Sequence, residues 1–220
     1  MVAEERFELV TPRGPVPAVM LTPEQARAVL VLGHGAGAGM EHPFLAGFCA
    51  AMAERAVASV RFDFPYKAAG RRTPDPAPVA AACVVAAVAA ARARLPGATV
   101  LVGGKSYGAR MASIAVADGL AVDGLVFLGY PLHPPGRPQD LRDQHLDRIT
   151  APMLFLQGTR DPFAEPDRLA SVLARLGARA TYVPVEGGGH SFERSRRDDA
   201  AAVGAGLAGS VATWIEERLG

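Results

Sequence analysis

Apolar residues in this chain come in short runs, separated by longer stretches in which they recur every three or four positions. Ala28 to Leu32, Val57 to Phe64, the run around Val100 to Val102, Gly124 to Leu128, Pro152 to Gln157 and Ala180 to Val185 are the short ones. Runs of that length, rich in Val, Leu and Phe and bounded by turn residues, predict buried strands. Helical spacing marks Pro43 to about Arg55, an Ala-rich stretch ending near Leu95, and a segment with Met111, Ile114 and Ala115. It returns in Leu169, Val172, Leu173 and Leu176, and in a closing set of Val203, Leu207, Val211, Trp214 and Ile215. Pro43 suits a first helical turn. Ahead of these, Phe7 to Val10 and Ala18 to Leu21, joined by a turn-rich Thr11 to Pro17, predict an opening hairpin. Strand and helix alternate from residue 28 onward. The predicted fold is therefore α/β, a mostly parallel central sheet with helices on both faces. No linker divides the 220 residues, so one domain over 1–220 is expected. The chain between the Gly124 and Pro152 strands is too short for a large cap domain.

Parallel strands bring the loops at their carboxyl ends to one edge of the sheet, where ligands bind. Four such loops carry chemistry. After the Val100 strand comes Gly104-x-Ser106-x-Gly108, then a helix. Strand, tight turn and helix with Ser at the apex is the setting in which G-x-S-x-G acts as a nucleophile elbow. The overlapping Gly104-Lys105-Ser106 looks like the end of a phosphate-binding loop, but the first glycine of that motif falls on Thr99, among strand residues.

A serine hydroxyl needs a base, and imidazole is suited to the task near neutrality. Among His34, His42, His133, His145 and His190, only His190 lies beyond the strand that carries Asp161. It follows Glu186-Gly187-Gly188-Gly189 in the loop after the last strand, in the order Ser, acid, His. Asp161, in Gly158-Thr159-Arg160-Asp161, is the candidate acid that orients the imidazole. Asp140, Asp143 and Asp147 read as solvated carboxylates of a polar helical segment. An oxyanion needs preorganised N–H donors. Tyr107 supplies one, and Ala36, in the loop Gly33 to Gly39, the second, with Gly37 as the fallback. His34 reads as a hydrogen-bonded prop for that loop, with a substrate-binding role also open to it.

His34-Gly35-Ala36-Gly37, Gly104-x-Ser106-x-Gly108, Gly158-Thr159-Arg160-Asp161 and His190 together resemble the α/β-hydrolase superfamily over nearly the whole chain. More narrowly, with Phe64-Pro65-Tyr66 and the stretch Tyr130 to Gly136, they resemble its small, lidless, bacterial dienelactone-hydrolase-like branch. True dienelactone hydrolases use cysteine as nucleophile, where this chain has Ser106. The resemblance implies the α/β-hydrolase fold and a Ser106–His190–Asp161 triad of a serine esterase or lactonase. It needs no metal or cofactor.

Tyr66, Arg110 and His133 join His34 as candidate substrate-binding residues. Arg110 lies one helical turn past Ser106, where a cation opposes the helix dipole and calls for an anion. With Lys67, Arg71 and Arg72 it could favour esters or lactones carrying a carboxylate; the competing reading pairs Arg110 with a structural Asp and leaves the loop arginines solvated.

Composition narrows the partners. The chain is 50% hydrophobic and 20% charged with a net charge of +1, which argues against nucleic acid or an anionic membrane. A small soluble acyl substrate, in a monomer or homodimer, fits better. Met1 to Glu8 holds three Glu with no apolar core behind it, so no secretory leader and a cytoplasmic location are expected. Val79 to Ala91 falls short of the roughly 20 residues of a membrane span and reads as a buried helix. Cys49 and Cys83 read as free core thiols, with a disulfide as the alternative. Two other functions compete. Gly33-x-Gly35-x-x-Ala38 with Asp63 fits a dinucleotide fingerprint, although Glu41-His42-Pro43 interrupts the expected helix. The fold could also serve as a non-catalytic interaction module.

Overall fold

A computed structural model describes all of residues 1–220. Eight strands form one sheet: β1 (Val2–Thr11), β2 (Gly14–Pro23), β3 (Ala28–Gly33), β4 (Val57–Phe62), β5 (Thr99–Lys105), β6 (Gly124–Leu128), β7 (Met153–Gly158) and β8 (Ala180–Val185). Their spatial order is β1-β2-β4-β3-β5-β6-β7-β8. β1 and β2 pair antiparallel, β2 runs antiparallel to β4, and every later pairing is parallel. The helices are α1 (Pro43–Ala53), α2 (Pro65–Ala68), α3 (Ala77–Arg94), α4 (Tyr107–Ala117), α5 (Pro166–Leu176) and α6 (Ala200–Leu219).

Side chains alternate across each strand, and so the sheet has two cores. Val29 and Val31 of β3 face α3, α4 and α5, whereas Leu30 and Leu32 face α1 and α6. Tight packing on the second face depends on Gly47 and Gly204: a Cβ on the latter would sit 2.1 Å from the Phe44 carbonyl oxygen. α3 is long and apolar enough to pass for a membrane span, but Ala80, Val84, Ala87, Val88 and Ala91 are buried in the first core. Cys49 and Cys83 are buried free thiols.

Two local expectations are corrected at the level of the fold. The opening hairpin pairs in full register from Val2–Pro23 to Thr11–Gly14, leaving only Pro12 and Arg13 in the turn. Gly14, at φ 101°, and the prolines of β2 had marked loop, yet an antiparallel edge pair accommodates them. Asp143 is not solvated. It is 2% exposed and holds Arg175 Nη2 at 2.6 Å, and only Gln144–Arg148 forms a short 3₁₀ turn there.

Candidate active site

The carboxyl ends of β3, β5, β7 and β8 lie at one edge of the sheet, and their loops meet there. Ser106 links β5 to α4 with φ 53° and ψ −109°, a conformation unfavourable for any residue with a Cβ. Packing holds it in place. A Cβ on Gly104 would come within 2.1 Å of the Gly33 carbonyl oxygen, and one on Gly108 within 2.0 Å. The turn can therefore seat against β3 only with glycine on both sides of the serine.

The Ser106 hydroxyl donates to His190 Nε2 at 2.8 Å, and His190 Nδ1 donates to Asp161 Oδ2 at 2.7 Å. Asp161 is 4% exposed, and its other oxygen accepts the Phe163 N–H at 2.8 Å. The Phe163 ring stands edge-on to the imidazole at 4.5 Å. Hydroxyl, imidazole and carboxylate in series form a relay that can take the hydroxyl proton as its oxygen attacks an electrophilic carbon.

The N–H of Tyr107 opens α4 and so has no partner within the helix. Lining the same cavity as Tyr107, the Ala36 N–H makes no hydrogen bond, while carbonyls of its loop are tied down. Tyr66 donates to the Ala36 oxygen at 2.6 Å, and His34 Nδ1 to the Gly35 oxygen at 2.8 Å. Ala36 and Tyr107 edge an open cavity of about 830 Å³, lined also by His133, Arg110 and Arg142.

The sequence pattern of the family described as Alpha/beta hydrolase domain matches residues 26–215. The chain belongs to this alpha/beta hydrolase family. Solved structures share its fold. A dienelactone hydrolase from Anabaena variabilis superposes with a TM-score of 0.79 at 17% identity, over 100% of this chain and 99% of its own. An a/b serine hydrolase without lid from Xanthomonas campestris gives 0.76 at 20% identity, over 97% of this chain and 94% of its own. An alpha-beta serine hydrolase homologue from Coxiella burnetii gives 0.75 at 16%, over 98% and 97%. The β6–β7 connection here, residues 129–152, holds one 3₁₀ turn and no α-helix.

Within this hydrolase frame, two candidate substrate contacts need correcting. His34 is fully buried and Tyr66 is 1% exposed, and neither lines the cavity. His34 Nε2 accepts the Phe64 N–H at 3.2 Å, and burial lowers the pKa of the ring, favouring the neutral form. Both residues brace the Ala36 loop from behind. Burial also pushes the Tyr66 phenol up to about 12, with Asp63 and Asp75 adding to the shift. Ala36, Tyr107, Arg110 and His133 do line the cavity. Lys67, Arg71 and Arg72 do not, and Arg71 Nη2 is held by Asp75 at 2.6 Å. No acidic partner holds Arg110, so its expected pairing with a structural Asp is absent. Asp63, the acid of the dinucleotide pattern, accepts the Met40 N–H at 2.7 Å, and the helix after the glycine loop starts only at Pro43. That loop braces an alpha/beta hydrolase site rather than opening a dinucleotide-binding helix.

Sequence reading missed three residues. Gln157, 1% exposed at the end of β7, donates to Asp161 Oδ2 and accepts the Tyr130 N–H at 2.8 Å. An amide closing an apolar strand four residues before the acid was the available signal. Lys105, the variable position between Gly104 and Ser106, reaches the His190 backbone, a contact without a local sequence mark. Arg142 enters the cavity from a loop that showed no periodicity.

Proposed function

We propose that this chain is a serine hydrolase of the esterase type, acting on small acyl esters or lactones through an acyl-enzyme. Ser106 Oγ attacks the carbonyl carbon as His190 Nε2 takes its proton, with Asp161 fixing the tautomer and stabilising the imidazolium. The N–H groups of Ala36 and Tyr107 hold the developing oxyanion. His190 then protonates the leaving oxygen, and a water activated by the same imidazole releases the acid. The reaction needs no cofactor. One observation carries this reading: a single imidazole within hydrogen-bond reach of both Asp161 and the hydroxyl of a serine in a strained strand-to-helix turn. The open, uncapped cavity supports small soluble substrates over long lipids.

A fluorophosphonate probe tests it. Labelling of the wild type that disappears in Ser106→Ala, with parallel loss of short acyl ester hydrolysis, is the expected result. An unlabelled wild type that cleaves no ester, thioester or lactone would instead leave the fold as a non-catalytic interaction module.

A further inference from the structure

Arg110 and Arg142 both line the cavity beside Ser106, and neither guanidinium has a carboxylate partner or a hydrogen bond to the protein. The Nε of Arg110 is buried with no partner at all. Elsewhere arginines find carboxylates: buried Arg61 with Glu41, half-buried Arg94 with Glu5, and the more exposed Arg71 with Asp75 and Arg175 with Asp143 and Asp147. An unpaired buried donor on a charged group is costly, and two like charges in one cavity add to the cost. The Arg142 pKa shifts downward, from burial first and then from Arg110. Two carboxylates, Glu193 and Asp198, also line the cavity, but neither forms an ion pair with Arg110 or Arg142. Asp198 caps the N–H groups of Arg194 and Ser195, and Glu193 lies against Gly189. The missing anion is therefore not supplied by the protein.

We propose that Arg110 and Arg142 form a subsite for the free carboxylate of a short dicarboxylic acid monoester whose ester carbonyl sits at Ser106. Arg110 lies four residues along α4 from Ser106, a rise of about 6 Å, so the carboxylate is separated from the scissile carbonyl by a short spacer. A guanidinium fork matches a carboxylate in two parallel bonds, which a solvated lysine would not do. His133 walls the same space. Its Nδ1 donates to the Pro134 carbonyl oxygen at 3.0 Å, and its Nε2 is buried without a partner. This assignment rests on the serine hydrolase reading for the scissile step, but the anion site can be tested without it.

The experiment has a kinetic arm and a binding arm. In the first, para-nitrophenyl hemiglutarate is compared with para-nitrophenyl valerate on wild type, Arg110→Gln, Arg142→Gln and Arg110→Lys. The ratio of kcat/KM for the charged over the neutral ester should fall about tenfold or more in both glutamine variants, as expected for loss of a charge-assisted bond. Arg110→Lys should recover part of it, which a merely unfolded variant would not. In the second arm, glutarate and inorganic phosphate are titrated calorimetrically into wild type, Ser106→Ala and Arg110→Gln. Glutarate binding that survives Ser106→Ala and is lost in Arg110→Gln supports the subsite, even if no ester is turned over. Equal ratios in all four proteins, or glutarate binding unchanged in Arg110→Gln, would overturn it. Phosphate binding tighter than glutarate would also overturn the carboxylate assignment. Fluorophosphonate labelling reports separately on Ser106, so a failed subsite and a failed hydrolase give different results.

Discussion

Lys105 Nζ donates a 2.7 Å hydrogen bond to the backbone carbonyl oxygen of His190. The residue preceding the candidate nucleophile thus anchors the main chain of the candidate base, 85 positions away in the chain. Lys105 is 8% exposed, and burial holds its pKa down to about 8, opposed by the charges of Asp161 and Glu193. Lys105→Met should cut kcat on a short acyl ester by roughly 10- to 100-fold, with KM changed little, because the imidazole is loosened while the cavity stays intact. Stability gives a second readout. The unfolded chain binds a proton at Lys105 up to about pH 10.5, the folded chain only to about 8. In that window the unfolded state holds more protons, so Lys105 makes stability rise with pH. Urea unfolding at a series of pH values from 8 to 10 should show this slope in the wild type and a flatter one in Lys105→Met.

Gln157→Leu removes the amide between Asp161 and the Tyr130 N–H. It should cost about 1–3 kcal/mol of stability through the buried donor left unpaired. Ester hydrolysis should fall along with it, since Asp161 loses one of its anchors. Gln157→Glu, which sets a second carboxylate against Asp161, should be worse on both counts. Denaturant midpoints beside steady-state kinetics check the pair.

Gly108→Ala puts a methyl group 2.0 Å from the Gly33 carbonyl oxygen, which is main chain and cannot step aside by a rotamer change. A loss of about 1–3 kcal/mol is expected from overpacking, together with weaker fluorophosphonate labelling of Ser106. Ala109→Gly, one position along, leaves that contact untouched and should not weaken labelling to the same degree.

His145 gives the acid side. It meets Ser113 Oγ at 2.8 Å, and its pKa falls to about 4 through burial first, then the charges of Arg110 and Arg148. Between about pH 4 and its ordinary 6.5, the unfolded chain carries a proton that the folded chain lacks. Stability is therefore lost as pH falls below 6.5, and His145→Asn should weaken that dependence. Thermal unfolding from pH 7 to 4.5 measures it.

Much of this arrangement was legible in the chain. Short apolar runs between helical stretches gave the parallel sheet, because a strand buried on both faces has no polar alternation to confuse it. The same topology brought Ser106, Asp161 and His190 to one edge, since each follows a parallel strand. What the sequence hid has a common cause. His34 sits in the glycine-rich loop after β3 and Tyr66 in the short α2 behind Pro65, stretches whose sequence resembles a binding surface, and only tertiary packing turns them inward, behind Ala36. Lys105 reaches a main-chain carbonyl 85 positions away, which no residue spacing encodes, and Gln157, although four residues before Asp161, also ties down the Tyr130 N–H 27 positions back. Asp143 looked solvated among polar neighbours because its partner, Arg175, comes from a helix 32 residues later.

The direct backbone contact of Gly33 with Gly104 and Gly108 has an evolutionary consequence. With no side chain in the seam, the spacing between the loop that follows β3 and the turn that carries Ser106 is set by main-chain radii alone, and no substitution can tune it gradually. Divergence among homologues in the compounds they accept should therefore concentrate in the loops after β6 and β8, whereas this seam should tolerate almost no drift.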